Sequence, residues 1–373
     1  MKFRCDQSLL RDAVGITARA ASVKSGNEIF RGILIEAGAE KVRFTGYDLK
    51  KGIYTDIDAD VERQGSVVVT ARMMDSICRL LPEGTATVEI TEGEIVKITC
   101  GKSEYTIAGM NYEEYPDLPS VEGNNCIVFS QKLLKSLISQ TVFAAATDEM
   151  RPIYTGILFE LDGENLTVVG VDGYRLALRR EKITSDKKES VVIPAESLRE
   201  AEKLCEDDEE KKVKIYLDRK HVSFMFEHTV LITRRLEGDF LNYRKTIPES
   251  TAKSVILQRS DLQRSVERVS IVIDDKLKNP LRCSFENGGI DISCQTPAGK
   301  CQDICPCEGD GGGVLIGFNN SYLLDALKAA PADELKVGFS ISTAPCIITD
   351  AAAEPGNEKF VYMVLPVRLK AGA

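Results

Sequence analysis

The stretch Phe30-Arg31-Gly32-Ile33-Leu34-Ile35-Glu36 decides the fold, because it returns 124 residues later as Tyr154-Thr155-Gly156-Ile157-Leu158-Phe159-Glu160. The match continues through FTGYD (44–48) and VVGVD (168–172). A more diverged copy carries Pro280-Leu281-Arg282 another 124 residues downstream. Since three such copies account for almost all of the 373 residues, the sequence predicts one domain repeated three times. The predicted domains span residues 1–122, 123–248 and 249–373.

Each copy contains two segments with the apolar spacing of a helix, separated by short alternating runs typical of antiparallel strands. The first helix of each copy is predicted over residues 8–21, 130–146 and 260–273, and each opens with a serine suited to capping. The second helices begin near residues 71, 195 and 319. The sequence therefore predicts an α+β fold of three tandem similar domains, each with two helices packed on antiparallel sheets, and six small sheets in all.

Several short segments are predicted to be turns or surface loops. Glycine-containing turns are expected at 92–93, 162–163 and 287–288, and Asn287-Gly288 is a typical hairpin sequence. The charge run at 206–212 is interpreted as a solvated turn. The glycine-rich segment 309–313 is interpreted as a flexible hairpin or loop, because it lacks the order of a phosphate-binding loop.

The composition is that of an ordinary globular protein with a net charge of −9. No apolar run is long enough to cross a bilayer, and the first six residues lack the apolar stretch of a signal peptide. We therefore expect a cytoplasmic protein. The eleven cysteines show no regular pairing, which fits a reducing compartment where most act as small core residues.

Positive charge is concentrated in the predicted helices, although the chain as a whole is acidic. The six helical segments together carry a net positive charge, with the one near residue 195 as an acidic exception. Such a surface would bind phosphates without sequence preference, whereas ordinary solvent-facing residues of amphipathic helices are the alternative interpretation. The basic residues expected to form such a phosphate-binding surface are Arg11, Arg19, Lys24, Arg72, Arg79, Lys132, Lys135, Arg199, Lys203, Arg264 and Arg268.

Catalysis is poorly supported by the sequence. The only histidines are His221 and His228, and no serine or cysteine motif lies beside them. Asp48 and Asp172 recur at one repeat position, but we expect each carboxylate to accept backbone N–H groups in a turn. The sequence predicts a protein that is not an enzyme and needs no cofactor.

Cys301, Cys305 and Cys307 form a cluster with Cys294 nearby. The spacing is not that of a standard zinc site, and no histidine is close. We therefore predict no metal site and interpret these thiols as buried or incidental. A thiol or metal enzyme that uses the 294–307 cluster is an alternative.

The chain resembles the bacterial DNA sliding clamps, the beta subunits of DNA polymerase III, over essentially its whole length. The two most specific elements are D-G-[HY]-R-L-A and Y-x-x-x-P-x-R-L. The segments that carry the resemblance are Met1-Lys2-Phe3, Thr45-Gly46-Tyr47-Asp48-Leu49, Asp172-Gly173-Tyr174-Arg175-Leu176-Ala177, Phe240-Leu241-Asn242-Tyr243-Arg244, Gly317-Phe318-Asn319-Asn320-Ser321-Tyr322 and Tyr362-Met363-Val364-Leu365-Pro366-Val367-Arg368-Leu369. Residues 370–373 extend past the usual family end.

The resemblance implies a DNA polymerase processivity factor that works as a ring. Two chains would join head to tail as a homodimer, with helices around a central hole for duplex DNA and sheets outside. The implied partners are double-stranded DNA, the alpha subunit of DNA polymerase III, the clamp loader, and other replication and repair polymerases that carry clamp-binding peptides; no membrane is implied. Tyr105 and Ile107 of one chain would meet Val272 and Ile273 of the next, although core packing explains these residues nearly as well.

The resemblance also implies a partner pocket between the second and third domains. Its ligand would be a short linear peptide with a glutamine and bulky apolar residues, with Arg175 and Arg368 as polar handles. Tyr174, Leu241 and Lys245 stand where many members have His, Pro and Arg. By alignment the lining is Tyr154, Val171, Gly173, Tyr174, Arg175, Leu176, Leu241, Lys245, Thr246, Tyr322, Thr343, Pro345, Met363, Leu365, Pro366, Val367 and Arg368.

A repeat scaffold that binds other proteins and never encircles DNA is the alternative to a clamp. Retention on circular and linear DNA distinguishes the two, because only a closed ring is lost through a free end.

Overall fold

The computed structural model describes residues 1–22, 24–121, 126–148, 150–274 and 279–369, so the predicted limit at 122 and the tail 370–373 lie outside the described residues. Seven α-helices are present in this part of the chain: α1 (Gln7–Thr17), α2 (Ala71–Leu80), α3 (Gln131–Ser139), α4 (Ala195–Leu204), α5 (Tyr243–Thr246), α6 (Arg259–Ser270) and α7 (Asn320–Ala329). The strands are β1 (Lys2–Asp6), β2 (Gly32–Ala37), β3 (Lys41–Tyr47), β4 (Lys51–Asp58), β5 (Asp60–Arg63), β6 (Gly65–Thr70), β7 (Thr85–Ile90), β8 (Ile95–Cys100), β9 (Ser103–Met110), β10 (Cys126–Ser130), β11 (Gly156–Asp162), β12 (Asn165–Val171), β13 (Arg175–Lys182), β14 (Lys188–Pro194), β15 (Lys212–Leu217), β16 (His221–Met225), β17 (Thr229–Arg234), β18 (Lys253–Gln258), β19 (Leu281–Thr296), β20 (Gly299–Phe318), β21 (Glu334–Phe339), β22 (Cys346–Asp350) and β23 (Phe360–Val364).

The chain folds into two compact units. The first unit comprises Met1–Leu134 and Lys203–Arg235, and the second comprises Lys135–Glu202 and Leu236–Ala373. The first contains an antiparallel sheet of order β10-β15-β16-β17-β4-β3-β2-β6-β9-β8-β7-β1-β5, and the second a sheet of order β14-β11-β12-β13-β23-β22-β21-β18-β20-β19. The prediction of six small sheets is wrong, because strands of neighbouring copies pair with each other and make the sheets continuous.

The six predicted helices all begin within one residue of the expected positions, but the first helix of each copy is shorter than predicted. In α1 the Thr17 hydroxyl donates to the carbonyl of Ala13, and the chain then tightens into a 3₁₀ turn over Ala18–Ala20. Strand β3 passes so close to this helix end that a Cβ on Gly46 would lie 2.0 Å from the Thr17 carbonyl oxygen. The helix therefore stops where β3 crosses it.

The serine caps were predicted correctly only in the second copy. The Ser130 hydroxyl accepts a hydrogen bond from the Leu133 backbone N–H, as an N-cap should. In the first copy Asp6 is the cap, and its carboxylate accepts from the N–H of Ser8. In the third copy Gln258 holds the cap position and makes no side-chain cap bond.

In the third copy β19 and β20 take the place of the four strands β11 to β14. Their pairing shifts twice, so that Phe285 lies opposite Val314, Asn287 opposite Asp310, and Gly289 opposite Pro306. Gly288 is left-handed (φ 76°) at this irregularity, as Gly163 is (φ 63°) in the turn between β11 and β12. The glycine-rich segment 309–313, expected to be a hairpin or loop, lies within β20 beside the same irregularity.

Candidate functional site

The site begins with the turn that joins β12 to β13. The Asp172 carboxylate accepts hydrogen bonds from the backbone N–H groups of Tyr174 (2.8 Å) and Arg175 (2.9 Å), while Gly173 is left-handed (φ 91°). Asp48 makes the same two bonds, to Lys50 and Lys51, in the first copy. The prediction that both aspartates are turn residues is confirmed.

Arg175 lies at the centre of an aromatic and ionic stack. Its side chain is only 10% exposed, and its guanidinium donates to Asp172 (3.0 Å) and to Asp325 on α7 (2.6 Å). The same group lies 4.4 Å from the ring centre of Tyr322 and 5.5 Å from that of Phe143. Two donor atoms of Arg175 are thus engaged with carboxylates of its own unit, which holds the guanidinium in a fixed position.

Tyr174 covers the outer side of this stack. Its ring lies 6.1 Å from that of Tyr322 at an angle of 25°, and 62% of the residue is exposed. Burial, followed by the nearby Asp172 carboxylate, raises the pKa of Tyr322 above its usual range. The Tyr322 hydroxyl is neutral at neutral pH and can act as a hydrogen-bond donor.

An apolar cluster adjoins the stack, and we call it the central apolar cluster. Its partly buried members leave apolar surface accessible, and Tyr154 packs edge-on against Phe240 with ring centres 5.7 Å apart. Three predicted lining residues, Val171, Leu176 and Met363, are at most 3% exposed and support this surface from below. The predicted lining residues in the cluster are Tyr154, Val171, Leu176, Leu241, Met363 and Leu365.

The pairing of β13 with β23 brings the two halves of the site together. Arg175 lies opposite Val364 and Leu176 opposite Met363 in this ladder. Two backbone hydrogen bonds hold the chain in place beyond β23. The N–H of Leu365 donates to the Tyr174 carbonyl (2.9 Å), and the N–H of Val367 donates to the Gly317 carbonyl (2.8 Å). The C-terminal segment is therefore a fixed ridge of the site.

Helix α5, which the sequence did not reveal, carries the predicted residues Lys245 and Thr246. It is anchored by Glu160 on β11, which accepts a hydrogen bond from the Tyr243 hydroxyl (2.5 Å) and a bidentate pair from Arg244 (2.6 and 3.2 Å). Burial would raise the pKa of Glu160, but these donors outweigh it and hold the pKa below its usual range. A single turn of helix is too short for a periodic pattern to predict.

Four further predicted lining residues line a cleft of about 1150 Å³, which we call the C-terminal cleft. Thr343, Pro366, Val367 and Arg368 line it, together with eight residues that were not predicted. Pro345 is half-buried at the start of β22. Those eight are Lys253, Val314, Leu315, Gly317, Ser340, Ile341, Ser342 and Leu369.

None of the eleven basic residues expected to face DNA is buried. At least four of them form ion pairs with carboxylates, which reduces their net positive charge. The four ion pairs are Arg11–Asp12 (2.9 Å), Arg79–Asp75 (2.9 Å), Lys132–Glu209 (3.5 Å) and Arg268–Asp303 (2.5 Å). Arg72 and Arg264 are exposed on α2 and α6.

The expected interface residues are largely packed within their own units. Ile107 on β9 is buried in the core of the first unit, with Tyr105 half-buried against it. Val272 and Ile273, which follow α6, are half-buried against the core of the second unit. The exposed apolar residues nearby were missed: Ile271 is 83% exposed and Ile304 on β20 is 64% exposed.

The cysteine cluster has the properties of core packing. Cys294 lies opposite Cys301 in the β19–β20 ladder, and burial raises the pKa of Cys305 to about 12. The thiolate, which is the form that attacks or binds metal, is therefore disfavoured at neutral pH. Within the described ranges no group of three or more His, Cys, Asp or Glu residues could hold a metal ion.

Comparison with known proteins decides the family. The DNA polymerase III beta subunit N-terminal, central and C-terminal domains match residues 1–119, 128–242 and 244–368. A beta sliding clamp of Bacillus subtilis is 32% identical over 381 residues, covering 99% of this chain and 100% of that protein. The chain belongs to the DNA polymerase III beta subunit family. A beta sliding clamp of Synechocystis is 30% identical over 394 residues, covering 99% of this chain and 100% of that protein.

Solved structures agree with this membership. The crystal structure of a sliding clamp from Bacillus subtilis has a TM-score of 0.92 at 31% identity and covers 99% of this chain and 100% of its own. That of a DNA polymerase III beta subunit from Eubacterium rectale has a TM-score of 0.91 at 28% identity, covering 98% and 99%. The sliding clamp family, the three tandem α+β domains and the function as a DNA polymerase processivity clamp are confirmed. No helix in the described parts of the chain is long and apolar enough to span a membrane.

Proposed function

We propose that two copies of the chain close head to tail around duplex DNA and hold the polymerase there through the site described above. The way in which successive copies join supports this. In the first unit β17, the last strand of the second copy, pairs with β4 of the first. In the second unit β23, the last strand of the third copy, pairs with β13 of the second. β4 and β13 hold the same repeat position, so one kind of join is used twice.

At each end of the three-copy repeat, one strand that could form such a pairing has an open edge in the described part of the chain. The equivalent of β4 and β13 in the third copy is the first half of β20, residues 299–306, which pairs with β19 on one edge. The last strand of the first copy is β9, and residues 103–108 pair only with β8. Among the described residues no other strand covers these two edges. A second copy would lay its β9 along β20 and repeat the join, which closes the assembly and leaves neither of these two edges open.

The predicted interface residues fit this arrangement. Tyr105 and Ile107 lie on β9, and the exposed Ile304 lies on the open edge of β20. Val272 is held next to that strand, since its carbonyl accepts a hydrogen bond from Thr296 at the β19–β20 turn (2.9 Å). Burial of Ile304 in the proposed dimer would account for an apolar side chain that is otherwise exposed.

The eleven basic residues form the proposed DNA surface. Several are neutralised by neighbouring carboxylates, so the attraction for phosphates would be weak and spread over the helices. Weak, sequence-independent contacts suit a protein that must move along DNA, because topological closure and not affinity keeps it there.

The central apolar cluster and the Tyr174–Tyr322–Arg175 stack form the proposed partner site. Accessible apolar side chains beside a small set of fixed polar groups suit a short peptide with a glutamine and bulky apolar residues. Its carriers would be the alpha subunit of DNA polymerase III, the clamp loader and other replication and repair polymerases. The chain would tether these partners in the cytoplasm and catalyse nothing itself.

The decisive experiment compares retention on circular and linear DNA. The protein is loaded onto nicked circular DNA, freed of unbound protein, and half of the sample is linearised with a restriction enzyme. We expect the protein to remain on the circle and to leave the linear DNA. Equal retention on both forms would contradict the ring and favour a scaffold that does not encircle DNA.

A further inference from the structure

A cavity of about 430 Å³ lies in the first unit, between its sheet and the segment 115–121 that follows the first copy. Strands β2, β3, β4, β16 and β17 contribute to its lining. Much of the wall is apolar, with Leu34 and Leu118 among its residues, and the carboxylates in the lining are Glu36 and Asp117. The cavity is separate from the central apolar cluster, which belongs to the second unit.

Glu36 holds the same repeat position on β2 as Glu160 does on β11. In the second unit the linker after the second copy satisfies this carboxylate. Glu160 accepts a hydrogen bond from the Tyr243 hydroxyl and a bidentate pair from Arg244. The repeat thus contains one worked example of how a guanidinium binds the glutamate at this position.

The linker after the first copy lacks the equivalent donors. Both linkers carry an aromatic residue three positions before a tyrosine, which aligns Tyr115 with Tyr243. Pro116 then stands where the second linker has Arg244. The Tyr115 hydroxyl donates to the Thr45 carbonyl (3.1 Å) and not to a carboxylate. The first linker therefore leaves the glutamate of β2 without the tyrosine and the arginine that its counterpart binds.

Within the described ranges no other donor bonds to the Glu36 carboxylate. Arg43 lies opposite Glu36 in the β2–β3 ladder, but its guanidinium forms a bidentate pair with Asp56 (2.7 and 2.9 Å). Burial raises the pKa of Glu36, and the Asp117 and Asp56 carboxylates add to this rise while Arg43 opposes it. At Glu160, in contrast, the bound donors outweigh burial and lower the pKa. Glu36 is thus a half-buried acceptor that faces a cavity and has no donor of its own.

The group that this cavity lacks is a guanidinium with an apolar neighbour. A guanidinium can donate two parallel hydrogen bonds to one carboxylate, as Arg244 does to Glu160, whereas a lysine ammonium cannot match this geometry. Apolar side chains beside the carboxylate would bury an adjacent apolar residue of the ligand. The volume falls within the range of about 300–1,000 Å³ that is typical of ligand pockets.

We propose that this cavity binds an arginine side chain of a partner protein, together with an adjacent apolar residue, and that the Glu36 carboxylate accepts the hydrogen bonds of the guanidinium. It is a second interaction surface, and it depends neither on the ring nor on the partner site proposed above. In the second unit the chain's own Arg244 occupies the equivalent position, so only the first unit offers it to a partner.

Saturation-transfer difference NMR on the intact protein tests this surface, because the method detects weak binding of peptides to a large protein. The probe is a short glycine–serine peptide with one arginine between two leucines. Matched peptides carry citrulline or lysine in place of the arginine, and citrulline keeps the shape of arginine without its charge. We expect the arginine peptide to bind about tenfold more tightly than the citrulline peptide, as a charge-assisted pair at a half-buried carboxylate should.

Glu36→Gln removes the charge with little change of shape, and it should remove most of the arginine advantage. Glu83→Gln, at an exposed position outside the cavity lining, is the matched control and should keep that advantage. Leu365→Ala should also keep it, because Leu365 belongs to the central apolar cluster. Glu36→Gln should leave the melting temperature unchanged or slightly raised, since it removes a half-buried charge that has no donor.

Each other result would contradict the proposal. Equal affinity of the arginine and citrulline peptides, or binding of neither, overturns it. An arginine advantage that survives Glu36→Gln, or one that is lost in Leu365→Ala, assigns the peptide to a different surface. A lysine peptide that binds as tightly as the arginine peptide shows general attraction of cations instead of a guanidinium site. A clear fall in the melting temperature of Glu36→Gln would show that the carboxylate serves the fold.

Discussion

Leu49 and Gly173 follow the aspartate of the same turn in successive copies, and both have a left-handed backbone (φ 72° and 91°). Only glycine adopts this conformation without strain, and a Cβ on Gly173 would meet no atom within 4 Å. We therefore expect Gly173→Ala to lower the free energy of unfolding by about 1 kcal/mol through backbone strain alone. Chemical denaturation of the variant and the wild type measures this change in the free energy of unfolding. Gly26→Ala, at an equally open position without left-handed φ, should be neutral or slightly stabilising. Equal effects of the two substitutions would rule out this explanation.

Leu365 offers a cleaner test of the partner site than Arg175 does. Replacing Arg175 leaves Asp172 and Asp325 without their cation and disrupts the stack, so any loss of binding would be ambiguous. Leu365 is a partly buried member of the central apolar cluster. Leu365→Ala should weaken a glutamine-containing peptide about tenfold, as expected for about 1.4 kcal/mol of lost apolar contact, and leave the dimer mass unchanged. Val128→Ala, at a position 53% exposed in the first unit, is the control. Unaltered peptide affinity in Leu365→Ala would refute the site.

At the scale of elements, the position of α5 depends on the carboxylate of Glu160, which binds Tyr243 and Arg244. The lowered pKa of Glu160 means that its stabilisation is fully present above the ordinary glutamate pKa of about 4.5 and is lost as the pH falls through the lower value in the folded protein. Glu160→Gln should lower the free energy of unfolding by about 1–2 kcal/mol at pH 7, because a neutral amide replaces the charged acceptor of Arg244 and Tyr243. Thermal unfolding between pH 7 and pH 3 should show the difference between variant and wild type narrowing with acid. A difference independent of pH would contradict the role of the charge.

Among the elements, the helix starts could be predicted from the sequence, whereas the end of α1 and the continuity of the sheets could not. Helix starts follow from local periodicity, and all six were predicted within one residue. The end of α1 depends on β3 passing over Thr17, and the continuous sheets depend on strands such as β4 and β17, which lie far apart in the chain. Neither contact leaves a local pattern. In the structure Gly46 and Gly170 hold the same repeat position, and a Cβ on either would lie within 2.5 Å of the carbonyl oxygen of Thr17 or Thr141. At the site, the resemblance supplied the lining residues, but burial of Arg175 and the anchoring of α5 required the tertiary structure.

At the scale of the whole molecule, the proposed dimer forms along the open edge of β20. A substitution on this edge can block pairing with a second copy without unfolding the chain. Ile304 is 64% exposed on β20, so a charge there costs little in the isolated chain but would be buried in the dimer. Ile304→Asp should lower the solution mass from about twice 41.1 kDa to 41.1 kDa, measured by light scattering. Ile271→Asp, also at an exposed position, tests whether the interface extends beyond the strand. A dimer that survives Ile304→Asp would exclude pairing along this edge.

In the proposed ring, the surface that faces DNA must bind weakly, since a contact that is too strong would prevent movement along DNA. Arg72 and Arg264 are exposed on helices of two different copies, so their removal samples the proposed DNA surface at two places. The double variant Arg72→Ala, Arg264→Ala should weaken nonspecific binding to short linear duplexes and reduce the slope of log K against log salt by about 1 to 2, because each phosphate contact releases about one counterion. Lys41→Ala and Lys188→Ala together remove the same charge from exposed positions on β3 and β14 and form the matched control. Equal slopes in the two double variants would mean that net charge alone governs DNA binding. If only the Arg72→Ala, Arg264→Ala variant shows a lower salt slope, and its retention on circular DNA is unchanged, then the helices attract DNA while closure of the ring retains it.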